Sequence, residues 1–199
     1  MAQQLVKRAS PAERLSHWIH MLSFIVLVLT GLGLYARSFF GLTGLFGGVD
    51  ISRVIHHYTG IVFIVTTFVI FFQWAHAITA KGEDSLFDVV RSYLDHSFHA
   101  KAGKINAGQK LFGWFAFLVG LGMGGTGLAM WFPFVLGRGL QQWMYFLHNL
   151  GFICFMLFIL VHLYLGTFGN PGSWRIMTRG TVTKAWARAH HPNWDAEDA

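Results

Sequence analysis

The sequence predicts an all-α integral membrane protein, a bundle of four spanning helices with both termini in the cytoplasm. Three observations predict it. Of the 199 residues 54% are hydrophobic and only 12% charged, and so few charges could not cover a soluble globule of that size. Four runs, near 16–36, 54–78, 109–132 and 143–168, reach the roughly 20 apolar residues that cross a bilayer core of about 30 Å. Twelve of the fifteen Lys and Arg then fall on one side of those spans. Only Arg37, Arg53 and Arg138 fall on the other. The positive-inside bias therefore puts the termini, the 79–108 loop and the 169–199 tail in the cytoplasm, with residues 1–199 forming one transmembrane domain.

Each element follows in order. The N-terminal MAQQLVKRASPAERLSHW is polar, with no apolar core and no small-residue cleavage site. It is not expected to be a signal peptide, so the first span should remain in the mature protein. In the loop after the second span, SLFDVVRSYLDHSF has Leu86, Val89, Val90, Tyr93 and Leu94 at helical spacing. This is a short helix, either lying on the membrane surface or capping the hairpin. The third span, LFGWFAFLVGLGMGGTGLAMW, carries Gly113, Gly120, Gly124 and Gly127 within about 60° of one another on a helical wheel. They make a groove that admits a neighbouring helix or a flat macrocycle. The only cysteine, Cys154, lies inside the fourth run. That excludes a disulfide framework, a cysteine-based metal centre within this chain and, with no CxxCH, covalent haem.

The fourth span holds two histidines, His148 and His162. Fourteen residues of helix place them about 40° apart on one face and about 21 Å apart along it. At the outer depth the second span offers His56 and His57; at the inner depth the first offers His17 and His20. A single intramembrane histidine can be satisfied by one hydrogen bond to a neighbouring helix. Two depth-matched pairs fit two haems stacked along the membrane normal, each iron held by two imidazoles. Zinc transport would favour carboxylates beside the histidines, and none of the four runs contains Asp or Glu. His76 sits about 30 Å from His56 on the opposite helix face, as a surface histidine would. His96, His99, His190 and His191 lie in polar segments and read as solvated or packing residues.

Several stretches resemble one family. RLSHWIHMLSF, RVIHHYTG, GKINAGQKLFGW, LHNLGF, LVHLY and the tail RGTVTKAWARAHHPNW are similar to the cytochrome b (gamma) subunit of membrane-bound respiratory formate dehydrogenase, over nearly the whole chain. The GK-x-NAGQK and W-A-x-x-HHP-x-W segments are its specific parts. The resemblance implies a diheme cytochrome b, with His17 and His162 binding a cytoplasmic b haem and His56 and His148 an outer one. His56 is preferred to His57 on the family's Arg-x-x-His-x-x-x-Gly spacing, here Arg53, His56 and Gly60, and His17 to His20 on a similar match.

From chemistry alone, Asn106 before a glycine turn reads as a helix cap. The resemblance implies instead that Asn106, Gly108 and Gln109 line a quinone site, for menaquinone or ubiquinone, beside the cytoplasmic haem. An iron with two imidazole ligands has no vacant position and carries electrons. The chain lacks molybdopterin and iron–sulfur motifs, so formate oxidation would belong to a molybdenum- or tungsten-containing alpha subunit, with an iron–sulfur beta subunit docked on the outer side. Electrons would enter at the outer haem and reduce quinone with cytoplasmic protons, in a bacterial inner membrane, with lipid and no nucleic acid as further partners. The competing readings are a diheme cytochrome b serving a hydrogenase or a thiosulfate or polysulfide reductase, and a haem-free membrane transporter.

Overall fold

Helix starts in this chain are set by capping chemistry rather than by the first apolar residue, so the helices begin earlier than the hydrophobic runs. In the computed structural model, which describes residues 4–95, 98 and 100–195, α1 spans Pro11–Tyr35. Ser10 and Glu13 form a reciprocal cap at its start: the Ser10 amide donates to Glu13 Oε2 at 2.6 Å and the Glu13 amide to Ser10 Oγ at 3.2 Å. Pro11 takes the first helical position, where no amide is needed. A 3₁₀ segment, Arg37–Phe46, leads into α2, Val49–Thr79. The amphipathic loop segment is α3, Leu86–Leu94. α4 runs Ala107–Trp131, and α5, Arg138–Tyr164, ends in a π turn at Leu165–Gly169. Among the described residues four helices are thus long and apolar enough to cross a membrane, as expected, and each covers most of one of the four apolar runs.

The tail departs from the all-helical expectation. Strand β1, Leu5–Lys7, pairs antiparallel with β2, Thr181–Thr183, with Val6 opposite Val182. α6, Trp174–Arg179, precedes β2, and α7, Lys184–His190, follows it. Alternation over three residues is too short a signal to read from sequence. Pairing with residues more than 170 positions away is what stabilises it.

The chain divides into two compact units. The first comprises Met1–Leu15, Phe71–Ala116 and Met156–Ala199; the second comprises Ser16–Ile70 and Phe117–Phe155. The first unit is tied by hydrogen bonds between segments distant in sequence. The Lys184 amide donates to the Gln4 carbonyl at 2.9 Å, and the Asn193 amide to that of Ala102 at 3.1 Å. Asn193 Nδ2 donates to Glu83 Oε2 at 2.9 Å. Gly180 turns the chain here with φ 76°; a Cβ would stand 2.6 Å from the Ala9 carbonyl oxygen, so only glycine fits. The second unit is packed by segments of α1, α2, α4 and α5, around Phe63 and Phe155 with Phe24 against both.

In the second unit, Gly120 receives Thr67 and Gly124 receives Ile64, with added Cβ atoms meeting them at 3.1 and 2.5 Å. In the first, Gly113 receives Ile78 in the same way, at 2.8 Å. Helix packing is therefore the use of three of the four groove glycines. The fourth, Gly127, lies against His148.

Candidate functional site

The second unit encloses a cavity of about 650 Å³, within the roughly 300–1,000 Å³ of small-molecule and cofactor sites. Phe24, Ile64, Met123 and Phe152 contribute apolar wall, and His56 and His148 both line it. Their ring centroids stand 6.4 Å apart, with the planes at 65°. An imidazole nitrogen binds a first-row metal at about 2.0–2.1 Å and the ring centroid lies about 1.1 Å behind it, so two rings on opposite sides of one ion stand about 6.3 Å apart.

Each ring is held from behind by a threonine. Thr30, 0% exposed, has its hydroxyl 2.7 Å from the Val26 carbonyl and 2.8 Å from His56 Nδ1. A hydroxyl has one proton. When that proton goes to the carbonyl, the oxygen accepts from Nδ1–H and the lone pair of His56 falls on Nε2. Thr126 repeats the arrangement: 2.7 Å to the Gly122 carbonyl and 3.0 Å to His148 Nδ1. The residue after each threonine is glycine. A Cβ on Gly31 would stand 3.2 Å from His56 Cε1, and one on Gly127 3.4 Å from His148 Cε1. Both Thr-Gly-Leu triplets were visible in the sequence, at 30–32 and 126–128. Their role was not legible, because threonine in an apolar helix is ordinarily satisfied by its own back-bond.

The neighbouring histidines have other surroundings. His57 also lines the cavity but stacks on Trp131, with centroids 4.4 Å apart. His20 Nδ1 is 2.8 Å from Thr66 Oγ1, and its ring stacks on Phe63 at 4.3 Å. His17 is half-buried, with Trp18 edge-on at 6.0 Å. His162 stacks nearly parallel on Phe112 at 4.6 Å. His17 belongs to the second unit and His162 to the first.

Asn106, Gly108 and Gln109 open α4 in the first unit, and there the capping expected from chemistry alone is present. The Asn106 amide donates to Gln109 Oε1 at 2.9 Å and the Gln109 amide to Asn106 Oδ1 at 2.8 Å, a reciprocal cap. Asp84 Oδ2 accepts from the Ala107 amide at 2.6 Å, and Lys110 Nζ donates to the Ala80 carbonyl at 2.9 Å. A Cβ on Gly108 would touch Asn106 Oδ1 at 3.4 Å and Val89 at 3.5 Å. The two side-chain oxygens are committed to the backbone, which leaves the amide nitrogens as the chemistry these residues present.

The tail residues of the first unit carry its unusual electrostatics. His191, 2% exposed, donates from Nδ1 to the Gly103 carbonyl at 2.8 Å. Burial, and then the nearby Arg8 charge, lower its pKa to about 3. Arg8, 3% exposed, lies over the Trp194 ring at 4.7 Å; burial lowers its pKa to about 10, against the pull of Glu13. His191 is thus a packing histidine, and His190 stacks on Trp186 at 4.6 Å. The exposed His76 matches the surface role expected of it. His96 and His99 lie outside the described residues.

Residues 8–180 match the model of the prokaryotic cytochrome b561 family. The chain belongs to that family. Its relatives include the cytochrome b556 subunit of formate dehydrogenase from Haemophilus influenzae, 34% identical over 98% of this chain and 84% of that protein. The cytochrome b556(fdo) subunit from Escherichia coli K12 is 27% identical over 96% and 92%. The nitrate-inducible b556(Fdn) subunit of the same organism is 27% identical over 98% and 92%. Membership implies b-type haem, and the chain has residues that fit it: a 6.4 Å imidazole pair, a threonine hydroxyl at Nδ1 of each ring, and glycine in place of side chains beside both rings. The family match also sets aside a haem-free transporter.

Proposed function

We propose that this chain is the membrane-anchoring diheme cytochrome b subunit of a respiratory formate dehydrogenase in the bacterial inner membrane. It carries electrons from an iron–sulfur subunit, served by a molybdenum- or tungsten-containing catalytic subunit, to a quinone reduced near the cytoplasmic face. The observation that carries the reading is the His56–His148 pair, lining an apolar cavity at the spacing of two ligands to one ion. His56 and His148 hold the outer haem; His17 and His162 hold the cytoplasmic one. A b haem ligated by two imidazoles supplies one-electron transfer with no vacant coordination position. Support for His56 over His57 comes from their surroundings, since His57 is stacked on Trp131. The names of the relatives support formate as the substrate of the complex.

At the quinone site the caps leave Asn106 Nδ2 and Gln109 Nε2 to donate to a quinone carbonyl, while Gly108 keeps the backbone open beside them. Charge moved from the outer to the cytoplasmic side is opposed by about 2.3 kcal/mol per 100 mV, which the complex stores. Pyridine haemochrome analysis of the purified chain should give about two b haems per polypeptide; one or none overturns the pairing. Orientation is tested in a Cys154→Ser background with single cysteines at Ser85 and Gly137. An impermeant thiol reagent should label only Gly137 in intact cells, and labelling at Ser85 reverses the topology.

A further inference from the structure

We propose that Thr30 and Thr126 are positioning residues for the outer haem: each holds one imidazole in the tautomer and orientation that turns Nε2 toward the iron. The proposal rests on the reading of His56 and His148 as ligands. Its own evidence is the hydrogen-bond geometry. Both threonine hydroxyls have a helix carbonyl at 2.7 Å placed to receive their single proton, and both have an imidazole Nδ1 at 2.8 or 3.0 Å placed to donate to the oxygen. Were Nδ1 the unprotonated nitrogen, the hydroxyl would have to abandon the carbonyl. The proton would then sit on Nε2 and block it as a ligand.

A back-bonded threonine meets an imidazole Nδ1 three times in the second unit, and two of the three share a further feature. Thr30 on α1 holds His56 on α2, and Thr126 on α4 holds His148 on α5. In both, the next residue is a glycine whose missing side chain makes room for the same imidazole, Gly31 for His56 and Gly127 for His148. The third, Thr66 with His20, is followed by Thr67 and has no such glycine, so a hydroxyl placed only to join helices does not need it. Accepting from Nδ1–H also makes the imidazole a stronger donor at Nε2, which favours ferric over ferrous iron. Each threonine therefore acts on the electronic properties of the site as well as on its geometry.

The test uses the purified chain with its haems and reads the midpoint potential of each haem by redox titration of the alpha band, together with haem content. Thr30→Val and Thr126→Val keep the side-chain shape and remove the hydroxyl. Each should raise the potential of the outer haem, leave the cytoplasmic haem where it is, and weaken retention of the outer haem by about 10- to 100-fold. Thr30→Ser and Thr126→Ser restore the hydroxyl and should restore both properties. If a valine variant fails to assemble, the serine variant decides: recovery of haem content and potential supports the proposal, and failure of serine to recover them overturns it. Valine variants with wild-type potential and haem content overturn it, as does an equal shift of both haems, which a general loosening of packing would cause. Absence of b haem from the wild-type chain would instead overturn the ligand reading itself, and so is distinguishable from failure of the threonine role.

Discussion

The two units satisfy their polar groups in different ways. In the second, the hydroxyls are satisfied close by: Thr30, Thr66, Thr67 and Thr126 each bond the carbonyl four residues back, and three of them also reach an imidazole. In the first, Thr79, Thr167 and Thr178 make the same back-bond, but other polar groups also reach across the sequence, from Gln4 to Lys184, from Glu83 to Asn193 and from Gly103 to His191. The difference follows from the surroundings. Where lipid replaces water, a helix must satisfy its polar groups from within or from an adjoining helix. Where water competes, a bond is worth keeping when it ties together segments that would otherwise separate.

The sharpest way to break this contrast is to remove a polar group that the apolar unit needs. His148→Ala should abolish binding of one of the two haems, measured as a fall from about two to about one b haem per chain by haemochrome analysis. The remaining spectrum should be that of the cytoplasmic haem. A variant that keeps both haems would move the outer ligand elsewhere.

A smaller effect is expected in the first unit, where the cap and the proposed quinone donor can be separated. Gln109→Glu keeps a side-chain oxygen for the Asn106 amide and loses the donor. Haem content and thermal stability should hold while quinone reduction slows about tenfold, the worth of roughly one hydrogen bond. Unchanged quinone turnover would reduce Gln109 to a cap.

A further effect is graded with pH. His191 folds as the neutral imidazole, with its pKa lowered from an ordinary 6.5 to about 3. The unfolded tail therefore binds more protons between those values, and stability present above pH 6.5 is lost as pH falls toward 3. Limited proteolysis of the tail should accelerate by up to about tenfold per unit below pH 6.5. His191→Gln, which retains a donor for Gly103 but does not titrate, should flatten that dependence. An equally steep profile in the variant would assign the acid sensitivity to another group.

Much of the architecture was legible because lipid leaves few options. A run of about 20 apolar residues must be helical, and the four expected spans differ from the observed helices mainly at their ends. The earlier start of α1 is traceable to the Ser10–Glu13 cap, which lies outside the apolar run. The short helix in SLFDVVRSYLDHSF was legible from its spacing. Its start is fixed by the Ser85–Asp88 capping box, and the hydrogen bonds from Ser85 hold the Asp88 carboxyl below its usual range.

The site was legible in part. Helical spacing selects His148 as an outer-depth residue but cannot choose between His56 and His57, which are adjacent in sequence and so equal in depth. Neighbours on a helix point about 100° apart, and the two rings have different partners: both line the cavity, but His56 has Thr30 behind it and stands 6.4 Å from His148, whereas His57 stacks on Trp131. The sequence by itself determined four helices long and apolar enough to cross a membrane and histidines spaced two-thirds of such a helix apart, since both follow from the period of a helix and the thickness of a bilayer. The three-dimensional packing decided that His56 meets His148, that Thr30 and Thr126 stand behind them, and that a three-residue strand near each end of the chain pairs with the other. Those outcomes depend on how helices rotate and on contacts between residues far apart in sequence, and no local period encodes either.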